Sequence, residues 1–411
     1  MPTSRVFYGW WIVGIGLLCL LLGGGIGFYT FSVFIIPLEE EFGWTRTQLS
    51  LAITISCLMG LIGPIAGILI DRYGARIVMT VGALITGAAI ALLGFTTSLW
   101  QFYLLFFVMS VGLLGVLDLP IDTMISNWFT RRRGLAIGIA LTGYGLGGLF
   151  MAPLAAYLIN SVGWRWTYHI LGLVILIVLI PLCILVVKHR PEEMGLLPEG
   201  EQPPNEDSPT QGDVQKETGL SLSEALKTST FWLLVLVMTF AWLGLGSIAV
   251  HTVPLLEGKG FSTQTASVIF GFLLGISIAG RVAGGYMAER MPIKYLTIAF
   301  LILQAIGLAL MIPEGSTVAV WAFALILGLS LGGLATLTPL LVVHYFGLAS
   351  LGSILGGLWA FITIGFAGGP LLTGYIWDIT KSYNPVLIAF IATTLLAIAL
   401  TLFLRPPKPL A

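Results

Sequence analysis

The chain has 411 residues, 57% hydrophobic and 9% charged, with nineteen basic residues balancing nineteen acidic ones. An ordinary soluble domain carries roughly 25% charge, so a water-soluble globule, a disordered chain, a collagen and a coiled coil are excluded. A neutral chain also lacks the excess positive charge that binding nucleic-acid phosphates requires.

A mean hydropathy of +1.00 fits a polytopic membrane protein. A span takes about 20 apolar residues, and the length accommodates about twelve. Six apolar runs lie at 8–38, 47–70, 77–97, 100–128, 134–159 and 167–187. A polar stretch at 188–227 follows, with eight acidic residues between Glu192 and Glu217 and prolines at 191, 198, 203, 204 and 209. It has too little apolar surface to fold and is expected to be a flexible linker. Six more runs lie at 231–256, 263–288, 293–312, 317–345, 350–377 and 385–404. Backbone groups in lipid must be satisfied within the segment, so the runs are predicted as helices. The expected fold is an all-α membrane protein of twelve transmembrane helices. Residues 1–187 and 228–411 form two six-helix bundles, joined by 188–227. The first run is too long for a cleavable signal peptide.

Basic residues set the orientation. With the N-terminus inside, the inward segments hold Arg5, Arg72, Arg76, Arg131, Arg132, Arg133, Lys188, Arg190, Lys216, Lys227, Arg290, Lys294, Arg405 and Lys408. The outward loops hold Arg46, Arg165, Lys259 and Lys381. This bias predicts cytoplasmic termini and a cytoplasmic linker. Cys19, Cys57 and Cys183 all lie in apolar runs, an odd set with neither disulfide nor metal spacing.

The halves resemble each other. At an offset of 217, Pro37, Gly43, Phe129, Gly148 and Pro153 fall on Pro254, Gly260, Phe346, Gly365 and Pro370. At 218, Gly67, Asp71 and Arg72 fall on Gly285, Glu289 and Arg290. Six spans per half give both halves one orientation, hence a pseudo-twofold axis along the membrane normal. Transporters built so bind substrate near the midplane, between the repeats.

The second run ends in Gly67-Ile68-Leu69-Ile70-Asp71-Arg72-Tyr73-Gly74-Ala75-Arg76. Gly67 permits close helix approach, and the charges beside it suit an ion latch. This run resembles the G-x-L-x-D-R-x-G-x-R motif of the major facilitator superfamily, with a degenerate copy at Gly285 to Arg290. Tyr8-Gly9-Trp10-Trp11 and Asn127-Trp128-Phe129-Thr130-Arg131-Arg132-Arg133-Gly134-Leu135-Ala136 are similar to its monocarboxylate transporter and oxalate–formate antiporter branch. The resemblance implies alternating access, with Asp71, Arg72, Arg76, Glu289 and Arg290 as cytoplasmic gates.

Arg281 lies in Gly280-Arg281-Val282, eight residues before Glu289, which is about 12 Å of helix. An arginine at that depth is expensive and marks either function or a permanent ion pair. Its planar fork matches a carboxylate. The branch places its substrate-binding arginine at the matching place in the eighth span. Asp118 and Asp122 share a helix face and lie on either side of Pro120. They are read as a fixed latch to the arginine or as a proton site. In the second reading a substrate carboxylate takes the arginine, and Asp118, losing its partner, takes a proton. Oxalate–formate antiporters carry a Tyr near Asp118. Animal monocarboxylate transporters place an Asp four residues before the arginine, where this chain has Ser277. The eleventh run has no counterpart of the lysine of dicarboxylate exchangers, which favours a monocarboxylate.

Tyr29 matches an aromatic position of the branch and is a candidate cavity residue, with packing as the alternative. His251, near the outer end of the seventh run, is a candidate proton carrier or a hydrogen-bonded structural residue. His344 is read as interfacial, and Thr336 and Thr338 as added hydrogen-bonding groups. Gly143-Tyr144-Gly145-Leu146-Gly147-Gly148 has no preceding strand, so it is not a dinucleotide loop.

The expected function is secondary transport of a small organic anion, a monocarboxylate, with a proton. Arg281, Tyr29 and Asp118 bind substrate; Asp118, Asp122 and His251 handle the proton. A carboxylate exchanger is the same-class alternative. A drug or cation exporter is disfavoured by Arg281, and a transporter-like receptor by the lack of a signalling domain. No nucleophile–base or metal set is found, so the chain is not expected to be an enzyme or to need a cofactor. The expected partners are the carboxylate, a proton and the bilayer. The expected setting is a bacterial inner membrane, with a monomer as the working unit.

Overall fold

A computed structural model describes residues 7–45, 48–49, 51–52, 55–56, 59–199, 219–313 and 316–407. Arg5, Arg46, Cys57, Lys216, Lys408 and linker residues 200–218 lie outside them. Among the described residues, eleven helical spans, two of them composite, are long and apolar enough to cross a membrane. The expected second run is described only in part, its end forming helix α3 (Gly63–Tyr73). Large apolar side chains such as Ile177 and Leu185 are exposed, as lipid-facing helices require. The protein is a multi-pass membrane protein of all-helical fold. The chain divides into two compact units: Met1–Gly219 with Leu348–Gly356, and Leu220–Gly347 with Gly357–Ala411.

In the first unit, the opening span is not one regular helix. α1 (Gly9–Cys19) passes into a π-helical segment (Leu20–Tyr29) and then α2 (Phe31–Phe42). The Thr30 N–H donates to Gly25 O five residues back at 3.2 Å, the wide-turn bond that defines this geometry. α3 is followed by α4 (Ala75–Leu93) and α5 (Leu99–Leu114). Gly74, at φ +80°, makes the turn between α3 and α4, a conformation that favours glycine.

The fourth span differs from the continuous helix expected over 100–128. α5 stops, and α6 (Asp118–Trp128) begins after Leu117. Gly115 and Val116 donate to Gly112 O and Leu113 O, closing α5 with tight turns. Pro120 explains the break. A proline N has no hydrogen and its ring clashes with the carbonyl four residues back, so it sits best in a first turn. Asp118 therefore opens a helix instead of lying within one. α7 (Arg133–Val162) and α8 (Trp164–Leu185) complete the unit.

The stretch expected as a free linker is instead held at both ends. Trp128 Nε1 donates to Lys188 O at 2.9 Å, and the Ala75 N–H donates to His189 Nδ1 at 3.2 Å. Glu199 N–H donates to Trp128 O at 2.9 Å, while Thr130 and Arg131 N–H groups donate to Glu199 O. In the second unit, Leu220 N–H donates to Phe346 O at 2.9 Å. Phe129 and Phe346 are partners in the internal repeat, so each end of the stretch is tied to the same loop of its own unit. Composition forecast solvation; helix-end carbonyls and amides supply partners instead.

Burial, and after it the neighbouring Arg190 charge, holds the His189 imidazole down at about 4 against an ordinary 6.5. The folded state thus keeps it neutral, accepting from Ala75. Its contribution to stability is present above pH 6.5 and is lost as pH falls toward 4. His189→Gln is expected to flatten the acid side of the melting-temperature profile between pH 7 and 4.5. An unchanged slope would show that other groups set it.

The second unit contains α9 (Leu222–Ala225), α10 (Ser229–Gly258), α11 (Thr263–Ala288), α12 (Ile293–Leu310), α13 (Thr317–Phe346), most of α14 (Leu351–Thr380) and α15 (Asn384–Leu402). α11 and α13 approach closely. A side chain at Gly280 would meet the Leu329 backbone, and one at Gly332 would stand 2.6 Å from Arg281 N. Small residues at this spacing let membrane helices pack backbone to backbone, and here they fix the helix that carries Arg281.

Candidate functional site

Arg281 lies in α11 and is 8% exposed. Its Nη1 donates to Ser277 Oγ, one turn earlier, at 3.0 Å. The Ser277 hydroxyl, buried, itself donates to Leu274 O at 2.6 Å. Thr336 on α13 donates to Arg281 O at 3.2 Å. A neutral hydroxyl thus accepts from Nη1, and a second one pins the helix. Thr338, also buried, bonds Leu334 O within its own helix. Arg281 was legible from depth alone; the use of Ser277 was not, since a serine in a helix ordinarily bonds backward to a carbonyl.

Asp118 stands in the first turn of α6 and is half-buried. Tyr144 on α7 donates to Asp118 Oδ2 at 2.7 Å. Asp122, one turn on, is 2% exposed, and its Oδ1 has no hydrogen-bond partner among the described residues. The two carboxylates interact electrostatically. Tyr29 closes the π-helical segment and is half-buried, its ring 3.5 Å from where a side chain at Gly148 would begin. Tyr29, Asp118, Asp122 and Tyr144 all belong to the first unit, Arg281 and Ser277 to the second. The sequence singled out Tyr144 only within a glycine run. The sequence alone carries no signal for it, because the pairing with Asp118 depends on which helix α7 faces.

His251 on α10 donates from Nε2 to Pro370 O on α14 at 3.2 Å, and its ring lies 6.1 Å from Tyr383. A carbonyl only accepts, so Nε2 carries the proton. His344 sits edge-on to Tyr345 in the last turn of α13.

The charged motif residues fall into two groups. Asp71 accepts from the N–H groups of Gly352 at 3.1 Å and Ser353 at 2.9 Å, at the start of α14 and within the first unit. A carboxylate there satisfies open N–H groups and meets the positive end of the helix dipole. Gly67 lies against Gly352 backbone, so the close approach foreseen for it is present. Arg72 lies over the Tyr73 ring at 5.3 Å, and Arg76 is in electrostatic reach of Tyr8. In the second unit, Glu289 and Arg290 approach to 3.8 Å, and Arg290 covers the Tyr286 ring at 3.5 Å. Among the described residues, no group of three or more His, Cys, Asp or Glu could hold a metal ion.

This all-helical fold, with an arginine deep in one apolar helix and paired acids in another, defines a membrane transporter. The Major Facilitator Superfamily model matches residues 17–362. The chain belongs to that superfamily, whose members are transporters and not enzymes. It is similar to monocarboxylate transporter 12 of Rattus norvegicus, 26% identical over 380 residues, covering 86% of this chain and 76% of that one. It is likewise similar to an uncharacterized MFS-type transporter, YcxA, of Bacillus subtilis, 25% identical over 373 residues, covering 86% and 85%. Among solved structures it resembles the E. coli fucose:proton symporter FucP, with a TM-score of 0.72, 15% identity and coverage of 96% and 99%. It also resembles the proton:xylose symporter XylE, with a TM-score of 0.70, 16% identity and coverage of 97% and 96%.

Proposed function

We propose that this transporter moves a small organic anion, a monocarboxylate, together with a proton by alternating access. The observation that carries the proposal is Arg281: a guanidinium almost wholly buried in an apolar helix, with Nη1 on the Ser277 hydroxyl. A fixed positive charge so placed selects an anion, and its fork takes one carboxylate. Relatives named monocarboxylate transporters support the substrate class, and neighbours named proton symporters support the coupling.

In this proposal Arg281 holds the carboxylate, with Tyr29 and Asp118 completing the site. Asp118 takes up the proton, assisted by Asp122 and His251. Asp71, Arg72 and Arg76 in one unit, and Glu289 and Arg290 in the other, act as gates at the basic end of each bundle. By the charge bias that end faces the cytoplasm; the proposed setting is a bacterial inner membrane, with the monomer as the working unit.

Uptake of labelled pyruvate, lactate, oxalate and succinate into proteoliposomes, with and without a pH gradient, tests this. Monocarboxylates are expected to accumulate under an inward proton gradient and dicarboxylates to lag. Uptake indifferent to the gradient would remove the proton and leave an exchanger.

A further inference from the structure

The proton site contains a residue that neither the motif nor the charge pattern assigns. α6 packs against α1, α3, α4 and α7. Charged groups on these neighbours lie mostly at the far end of α6. Asp71 and Arg72 end α3, Arg76 opens α4 and Arg133 opens α7, about 15 Å along α6 from Asp118. Cys19 ends α1 and is fully buried. Near Asp118 itself stand Asp122, which acts on it electrostatically, and Tyr144, whose hydroxyl donates to Oδ2 at 2.7 Å.

Tyr144 is held in place by the opening span. A side chain at Gly24, in the π-helical segment, would stand 2.6 Å from the Tyr144 ring. One at Gly143 would meet the Leu17 backbone, and one at Gly147 would stand 2.7 Å from Leu21 O. The glycines on either side of Tyr144 therefore seat α7 on the first span, and the phenol ring fills the gap that Gly24 leaves. The break before Asp118 brings the carboxylate to the hydroxyl, since the first turn of α6 starts there.

We infer that Tyr144 is the positioning residue of the proton site: it holds the Asp118 carboxylate, and the first span, through Gly24, holds Tyr144. The inference rests on the reading of Asp118 as the proton carrier. A hydrogen bond to an ionised carboxylate is about twice as strong as one to a neutral group, so it weights the two protonation states of Asp118 unequally. Displacement of the first span at Gly24 would release the phenol and change the proton affinity of Asp118. Movement of the first span and proton uptake are thereby linked inside one bundle.

Difference infrared spectroscopy on the purified full chain in lipid tests this without any substrate. The protonated carboxyl band that disappears in Asp118→Asn belongs to Asp118. In Tyr144→Phe, which keeps the ring and removes only the hydroxyl, the pH at which that band half-appears is expected to move by about one unit. Gly24→Ala, which pushes the ring aside, is expected to give a shift of the same sign. An unmoved band in Tyr144→Phe would overturn the positioning role. An unmoved band in Gly24→Ala alone would overturn the link to the first span. Failure of the underlying reading is seen separately: uptake by wild type would ignore a pH gradient while the band still responds to Tyr144→Phe.

Discussion

Asp118→Asn is expected to abolish accumulation of a monocarboxylate against its gradient while exchange of internal for external substrate continues. With one proton per carboxylate, a one-unit pH gradient sustains about tenfold accumulation, because a tenfold ratio is worth about 1.4 kcal/mol. Asparagine has the shape of the protonated acid but carries no exchangeable charge, so both half-reactions of exchange remain and the coupling is lost. Internal substrate should then settle near the external concentration. The amide can still accept from Tyr144, as Asp118 Oδ2 does at 2.7 Å, so the local packing is kept. Labelled uptake and counterflow in the same vesicles check this. Tenfold accumulation by the variant would move the proton to another residue.

Ser277→Asp should produce the second large effect. Ser277 Oγ lies 3.0 Å from Arg281 Nη1, and the side chain is 1% exposed. A carboxylate at that distance, with little water to screen it, occupies the fork meant for substrate. Monocarboxylate binding at neutral pH is expected to fall by about 100-fold or more, the loss of about 3 kcal/mol, and to recover as acid protonates the new carboxylate, the condition under which an Asp four residues before the arginine is compatible with substrate binding. Ser277→Ala is the control. It removes one hydrogen bond and loosens the guanidinium, a weakening of about fivefold. If the aspartate variant binds as well as the alanine variant, the substrate carboxylate does not sit on Arg281.

Hydropathy made most of the fold legible, because lipid forces each apolar run into a helix and leaves few alternatives. Arg281 stood out for the same reason: a permanent charge at that depth marks either function or a permanent ion pair. The π-helical segment was not legible. Nothing in Leu20–Tyr29 marks wide turns, and the use of Gly24 as the seat of the Tyr144 ring appears only with α7 in place. The fourth-span break was half-visible in Pro120. The run 100–128 reads as one helix, whereas the ladder breaks over 115–117, which makes Asp118 a first-turn residue. Residues 188–199 have the composition of a solvated linker, and no local pattern reveals that His189 and Glu199 find backbone partners on helix ends far away in the chain. Tyr144 was hidden by its setting. A phenol in a glycine run gives no signal until the helix opposite is known to begin with a carboxylate.

The most direct measurement is a calorimetric titration of purified wild type and Arg281→Lys with the monocarboxylate that the uptake panel selects. Lysine keeps the charge and most of the length but not the planar pair of donors. Loss of one charge-assisted bond predicts affinity weakened by about ten- to 100-fold. Equal affinity in the two proteins would contradict a bidentate hold by Arg281.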